Sequence, residues 1–513
     1  MTIFSRAGSS EAVIPKGVGA LCGIQVVSTL SYSVLYSTLV LYMTGKLGFS
    51  ARDANHITGV FVAFNYALHL LGGYWGGRIL SFRMLFCLGM LAQIAGCLLV
   101  AMNSGDIGLY GGLGAFLAGC GLNVTCINCL LTRFFEPGDS RRETAFFWNY
   151  AAMNAGFFAG FSLSGYFQML QDYQSLFVLA SLGNLAALLF CLRAWPYLAD
   201  RDTLFSQKLP SAKRRSRFFG VLSVFALPPL LAFMLQHAEF ANRLVLVTGA
   251  VMAGVALLLA HRQRDGVVRG RMQSFVVLML VSTVFWMLFQ TAPMGLTQFI
   301  EHNVARTING FTLPTQWFQN INTLTIVIGG PLMSMLLTRL RGRGIAVSIP
   351  VQFALALLCI GFAFMLLPCG IARASDTGLV APMWVVASFV LQSTGELLLS
   401  PVGYAMVGRL VPQSLQGVMM GMWMLTVGVG STLASFTSNS MSAGGEGASP
   451  LFTNALFAEV FLKLGLLAVA AAMLLWLLVP VLRRWMAESG EEAEAMNAAP
   501  LAESRECCIE QTA

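Results

Sequence analysis

Glu396 is the only charged residue between Asp376 and Arg409, inside an otherwise apolar stretch from Leu379 to Leu410. A carboxylate placed that deep in hydrocarbon costs roughly 3 kcal/mol to insert, so it is expected to face a wet cavity, where it can exchange a proton or meet an incoming cation. Other polar residues recur in apolar stretches at helical spacing. Gln25, Ser28, Thr29, Tyr32 and Tyr36 fall at offsets 0, 3, 4, 7 and 11, which is one face of a helix. Tyr150 and Asn154 are four residues apart and share a face, as do Glu396 and Ser400. Gln290 and Asn322 bring carboxamides, and Trp286 and Trp423 bring large rings with one donor each. Hydrocarbon offers these groups no water, so each requires an internal partner or a solvated space. An interhelical hydrogen bond would account for any one of them, but their number argues for a shared cavity. His69 is a second site able to carry a proton, against the plainer reading of a neutral packing histidine.

The elements that hold these residues are legible in composition. The chain is 57% hydrophobic and 11% charged with a mean hydropathy of +0.72, which describes a multi-pass, all-α membrane protein. About fourteen stretches, each long enough to cross roughly 30 Å of hydrocarbon, run from Gly17 to Pro480. The first is no cleavable leader, because Met1 to Lys16 are mixed and polar and the apolar run is too long. Lys and Arg alternate between loops. With both termini cytoplasmic, only Lys46, Arg52, Arg243, Arg306 and Arg373 fall outside and Lys463 falls within a span, of 31 in all. The cluster from Lys208 to Arg217 sets orientation and touches anionic lipid. Nucleic-acid binding does not suit residues wedged between spans.

The organisation reads as a six-helix bundle over 1–195, basic loops with an inserted helical hairpin over 196–272 (spans 218–236 and 243–260), a second six-helix bundle over 273–485, and an acidic, disordered cytoplasmic tail over 486–513. Most of the eleven cysteines lie in spans, and the pair Cys507 and Cys508 sits in the tail, so no disulfide framework is expected. The CxxC of Cys126 and Cys129 has no companion ligands and reads as helix packing. No HExxH, GxSxG or P-loop is present, which argues against an enzyme, and no cofactor or metal is implied. Repeated filter sequences, expected of a channel, are also missing. The Glu459 and Lys463 pair reads as a snorkelling salt bridge.

Several stretches together resemble the proton-dependent oligopeptide transporters of the major facilitator superfamily, over about residues 30 to 470. They are Gly72-Gly73 through Arg78, Arg141-Arg142 with Phe147 to Gly156, Phe285-Trp286, Trp317-Phe318-Gln319 with Asn322, Gly395-Glu396 through Ser400-Pro401-Val402-Gly403, and Gly417 through Met420-Gly421-Met422-Trp423. The resemblance implies the major facilitator fold in a bacterial inner membrane, with the extra helix pair that bacterial members carry. It further implies a monomer importing di- and tripeptides or peptide-like molecules with protons by alternating access. It would place Tyr32, Tyr150, Asn154, Asn322, Glu396, Ser400 and Trp423 around a central peptide cavity, with Glu396 meeting the substrate's amino terminus.

The departures from the family pattern are as informative. The first-span signature Glu-x-x-Glu-Arg-Phe-x-Tyr-Tyr aligns with Gln25 to Ser33, so its acids and arginine become Gln25, Ser28 and Thr29. A further basic position falls at Tyr36, the ninth-span acid at Gln290, the fourth-span lysine at Val124 and the loop acid after the second span at Gly77. Removing one partner of a buried ion pair is destabilising, whereas replacing both is tolerated, and Tyr36 with Gln290 fits such a joint replacement. Val124 leaves Glu396 without a cation, which favours its neutral form and makes it the principal proton site that remains. With the family's carboxylate-binding cations gone, the cavity is expected to suit an amine or a modified peptide without a free carboxylate, with uncoupled movement or receptor-like binding as alternatives.

Overall fold

The computed structural model describes residues 15–486 apart from 103–104, 137–138, 140, 199, 201–202, 345–346 and 442–448. The acidic tail with Cys507 and Cys508 lies outside the described residues. The first half comprises α1 (Lys16–Gly45), α2 (Ala51–Trp75), α3 (Phe82–Met102), α4 (Gly112–Thr132), α5 (Arg141–Met169) and α6 (Tyr173–Arg193). A hairpin follows, α7 (Pro210–Gln236) and α8 (Ala238–His261). The second half runs through α9 (Gly266–Phe289), the short α10 (Thr297–Asn303), α11 (Gln319–Gly342), α12 (Ile349–Ile371), α13 (Pro382–Leu410), α14 (Gln416–Met441) and α15 (Pro450–Met486). This is the arrangement expected from the sequence, two six-helix bundles with a helix pair between them.

Among the described residues, thirteen spans are long and apolar enough to cross a membrane. Helix α5 is 29 residues long but carries Arg141, Arg142 and Glu143 in its first turn and polar residues along one face. It nevertheless runs with its neighbours, packed between α1 and α11. Two glycines allow that packing. A Cβ on Gly156 would lie 2.4 Å from the Val26 carbonyl oxygen, and one on Gly160 would lie 2.7 Å from that of Leu30. The close approach brings the polar stripe of α1 against the polar face of α5.

The ninth stretch, which hydropathy reads as one continuous span, is broken. Helix α9 ends at Phe289, and the chain passes through a wide turn at Ala292–Leu296, with Met294 at φ −121°, ψ −109°, before α10 resumes. Pro293 supplies no N–H to the helical ladder, which accounts for the interruption. Gln290 caps α9 at this break.

At the end remote from the chain termini the two halves are stitched together by polar side chains. Asn55 Nδ2 donates to Asn439 Oδ1 at 3.0 Å, and Asn439 Nδ2 meets His56 Nε2 at 2.9 Å. Asn320 Nδ2 donates to Ser162 Oγ at 3.0 Å, and Trp317 Nε1 donates to the Ser162 carbonyl at 3.0 Å. Gln168 Nε2 donates to Glu301 Oε2 at 3.0 Å, while Arg306 holds the other carboxylate oxygen at 2.7 Å. The hairpin joins this seam through Asn242, whose Nδ2 donates to the His56 carbonyl at 3.0 Å. Toward the termini, α13 packs on α9, α11, α12 and α14 of its own half. Tyr150 and Tyr404, on helices of opposite halves, are 42% and 50% exposed there. The seam thus closes the far end, while toward the termini α14 still meets α2, where Gly421 lies against the Leu70 side chain.

The α2–α3 loop shows how one lost acid is compensated. Gly77 has φ +73°, a conformation that glycine adopts without strain, and its carbonyl accepts from Phe205 N at 2.7 Å. The carboxylate at this corner comes instead from Asp200, in the linker after α6, which accepts from the Phe82 backbone N–H at the start of α3. Arg83 stacks over Trp195 at 4.2 Å beside it. Burial pushes the Asp200 carboxyl above its ordinary range, against the pull of the Phe82 amide, Arg133 and Arg83.

Candidate functional site

A cavity of about 300 Å³ lies between the halves. The whole α1 stripe, Gln25, Ser28, Thr29, Tyr32 and Tyr36, lines it. Where the family pattern has acids and an arginine, Gln25 Nε2 donates to Thr29 Oγ1 at 2.8 Å, a neutral bond closed within one helix. Tyr36 Oη donates to Gln290 Oε1 at 3.2 Å, so the two positions read as a joint replacement do meet, across the halves and at the α9 break. Tyr150 and Asn154 line the α5 wall, with Asn154 Nδ2 donating to the Tyr150 carbonyl at 2.9 Å.

Glu396 faces the same space from α13. Its Oε2 accepts from Asn322 Nδ2 at 2.9 Å, and that amide also reaches Ser393 Oγ at 2.9 Å. Asn322 therefore positions the carboxylate without neutralising it. Among the described residues that line the cavity there is no Lys or Arg, and Val124 stands in its wall. Trp286 and Ser400 line it too, and neither Trp286 Nε1 nor Ser400 Oγ has a partner. Trp423 also reaches the lining but is only 1% exposed, packed so tightly on α13 that a Cβ at Gly403 would lie 2.0 Å from its ring. His69 lines the α2 wall with its Nε2 unpartnered. Every residue expected to bind cargo or a proton thus borders one space. Glu459 and Lys463 pair with each other on the exposed surface of α15 instead.

The structure adds residues that the sequence reading passed over. Gln392 and Tyr404 extend the Glu396 and Ser400 face of α13 at the same four-residue spacing, a signal that was available. Asn65 and Tyr66 join from α2, Gln93 from α3, and Cys120 and Asn123 from α4. Asn65 Nδ2 donates to Tyr32 Oη at 3.5 Å, tying α2 to the α1 stripe. Phe157, Phe161, Phe289 and Phe389 supply apolar wall. The result is one carboxylate among hydroxyls, carboxamides and rings.

The model of the POT family matches residues 82–450. The dipeptide and tripeptide permease A of Escherichia coli (strain K12) is 28% identical over 487 residues, covering 94% of this chain and 95% of that one. The dipeptide and tripeptide permease A of Chromobacterium violaceum is 30% identical over 478 residues, covering 92% and 94%. In three dimensions, a peptide transporter POT in complex with sulfate superposes with a TM-score of 0.80 at 24% identity, covering 92% of this chain and 96% of that one. A POT family transporter in complex with 5-aminolevulinic acid gives 0.77 at 22% identity, covering 91% and 96%.

Proposed function

This chain belongs to the POT family, and from that premise we propose that it is a secondary carrier, importing di- and tripeptides or peptide-like molecules with protons coupled through Glu396. The observation that carries the reading is a single carboxylate, held by the neutral Asn322 in a cavity free of Lys and Arg between two helical halves. A carboxylate without a cation is costly to keep charged away from water, so it takes a proton when the cavity is empty of cargo. An arriving ammonium supplies the missing cation, and the proton leaves. Tyr150 and Asn154 on one wall and Ser400 on the other are placed to hold the cargo beside it.

Alternating access follows from the closed seam. Its hydrogen bonds must part to admit cargo from the far side, while the termini side closes. The Lys and Arg distribution supports cytoplasmic termini, and in that orientation the closed seam faces outward. The basic segment Lys208 to Arg217 then lies against anionic lipid of the inner membrane. We take the working unit to be a monomer, since each chain holds a complete cavity.

A second reading has its own support. The bonds from Gln25 to Thr29 and from Tyr36 to Gln290 replace charged pairs with neutral ones, which suits movement without proton coupling, or binding without turnover. Uptake of labelled dipeptides into proteoliposomes, with and without an inward proton gradient, decides among these. We expect accumulation above equilibrium only with the gradient. Equal uptake in both would leave an uncoupled carrier, and saturable binding without flux would leave a receptor.

A further inference from the structure

The two helices of the inserted pair attach to different parts of the molecule. Helix α7 stays with the first half: Leu231 and Leu235 are buried among its residues, and a Cβ on Gly114 of α4 would lie 2.6 Å from the Pro228 carbonyl oxygen. Helix α8 crosses the divide. Its buried residues, Ala238, Ala241, Asn242, Val245, Ala256 and Ala260, make one stripe along the helix. At the far end this stripe meets α2 at His56, and in the middle α8 meets α14, where a Cβ on Gly249 would lie 3.8 Å from that of Val429. Nearer the termini, Ala256 and Ala260 enter the core of the second half. Asn242 is the one polar residue of the stripe and is fully buried. Its Nδ2 donates to the His56 carbonyl at 3.0 Å and lies 3.4 Å from His56 Nδ1. A Cβ on Gly59 would lie 3.3 Å from Asn242 Oδ1 and 2.7 Å from the Ser435 Cβ, so α2, α8 and α14 converge on one point of the seam.

We propose that α8 is a strut of the far-end gate, and that Asn242 is a positioning residue of transport, setting the His56 ring against α14 while that end is closed. This rests on the alternating-access reading. The His56 ring is what meets Asn439 and Ser435 of the second half, and a carboxamide directed at the carbonyl and ring of that one residue restricts where the ring can point. A stiff helix tied to the first half at one end and to the second half at the other cannot keep both attachments unchanged when the halves rock. The two helices are joined by His237 alone, and this turn holds the far end of α8 beside α7 on the first half. Opening of the far end therefore requires α8 to come away from α14, and the strut adds its own contacts to those that keep the seam shut.

Spin labels at Lys46 and Asp376 of the full-length protein, one on each half at the far end, test the positioning role. In Asn242→Leu, which keeps the bulk and removes the amide, we expect the ratio of long to short distances to rise roughly three- to tenfold, with the affinity for alanyl-alanine within twofold of the unmodified chain. An unchanged ratio, or a loss of affinity in its place, overturns the role of Asn242. A cross-link tests the strut. Gly249→Cys with Val429→Cys puts two thiols on Cβ atoms about 3.8 Å apart, the span of a disulfide. We expect oxidation of this pair to remove the long distance and to lower dipeptide uptake into proteoliposomes at least tenfold, with both restored by dithiothreitol. The unmodified chain, oxidised in the same way, controls for its eleven native cysteines. Complete cross-linking with uptake unchanged would make α8 a passenger of the second half and overturns the proposal. An unmodified chain that holds the short distance with and without dipeptide and proton gradient would instead bring down alternating access itself, and the strut with it.

Discussion

Helix α2 carries two histidines in opposite circumstances. His56, at the far seam, is 4% exposed and hemmed in. Asn439 Nδ2 lies 2.9 Å from its Nε2, Ser435 Oγ lies 3.4 Å from its Nδ1, and the Phe436 ring meets it at 5.0 Å. His69, thirteen residues on, borders the cavity with Nε2 unpartnered, touched by the Tyr66 ring at 5.6 Å. Where the halves have to hold together, polar side chains are directed at one another. Bordering the cavity, His69 instead keeps a buried Nε2 without a partner among the described residues.

Breaking the open region at its charge should have the largest effect. In Glu396→Gln the amide oxygen still accepts from Asn322, so the wall keeps its shape while the proton site is gone. We expect gradient-driven accumulation to fall to the equilibrium level, with counterflow retained. Unchanged accumulation would remove Glu396 from the mechanism. Of intermediate size is the loss of positioning in Asn322→Ala, which leaves the carboxylate without its hydrogen bond. A charge-assisted bond of about 1.5–3 kcal/mol corresponds to roughly a ten- to hundredfold weaker affinity for a dipeptide with a free amine, read by calorimetric titration of the full-length protein in detergent.

The two histidines then separate seam from site. His56→Ala leaves the Asn439 and Ser435 side chains without their imidazole partner, and a change of about 1–2 kcal/mol would shift the closed population roughly tenfold toward opening. Spin labels at Lys46 and Asp376, exposed at the far end of opposite halves, should report a longer distance, while the affinity of the seam variant for cargo stays within a few-fold. His69→Ala should weaken cargo binding several-fold without moving that distance. If both variants changed the same observable, the contrast between the two histidines would fail.

Much of the fold was legible because the bilayer imposes it: apolar length marks helices, and basic loops mark the hairpin. The α1 stripe and the Glu396 face were legible for the same reason, since a polar residue at helical spacing in an apolar run stands out. The Tyr36 and Gln290 contact was readable from paired departures alone. Gln93 and Asn123 were not, because a lone carboxamide on a glycine-rich helix looks like ordinary interhelical bonding, and both do pack in the α3–α4 contact, against Gly119 and Gly89, while reaching the cavity lining. The break in α9 was hidden because hydropathy averages over Pro293. His56 was passed over since its role depends on α14, nearly four hundred residues away in sequence.

Asp200 offers the finest test, because it is a partly buried acid that belongs to the scaffold and not to the cavity. Its carboxyl is held above its ordinary value of 3.8, chiefly by burial, so the folded chain binds this proton more tightly than the unfolded chain does. The resulting stabilisation is present below the unfolded value and is lost as pH rises through the folded one, so near neutrality the charged carboxylate is a cost. In Asp200→Asn the side-chain oxygen can still accept from the Phe82 N–H while no charge is buried. We expect the melting temperature at pH 7.5 to rise by about 1–3 °C, with the difference shrinking toward pH 4, and peptide uptake to stay at the level of the unmodified chain. A fall in melting temperature would mean that the charge is needed by Arg83 and Arg133. A loss of uptake would mean that this corner, and not the cavity alone, takes part in coupling, and the division between a partnered scaffold and an open site would no longer hold.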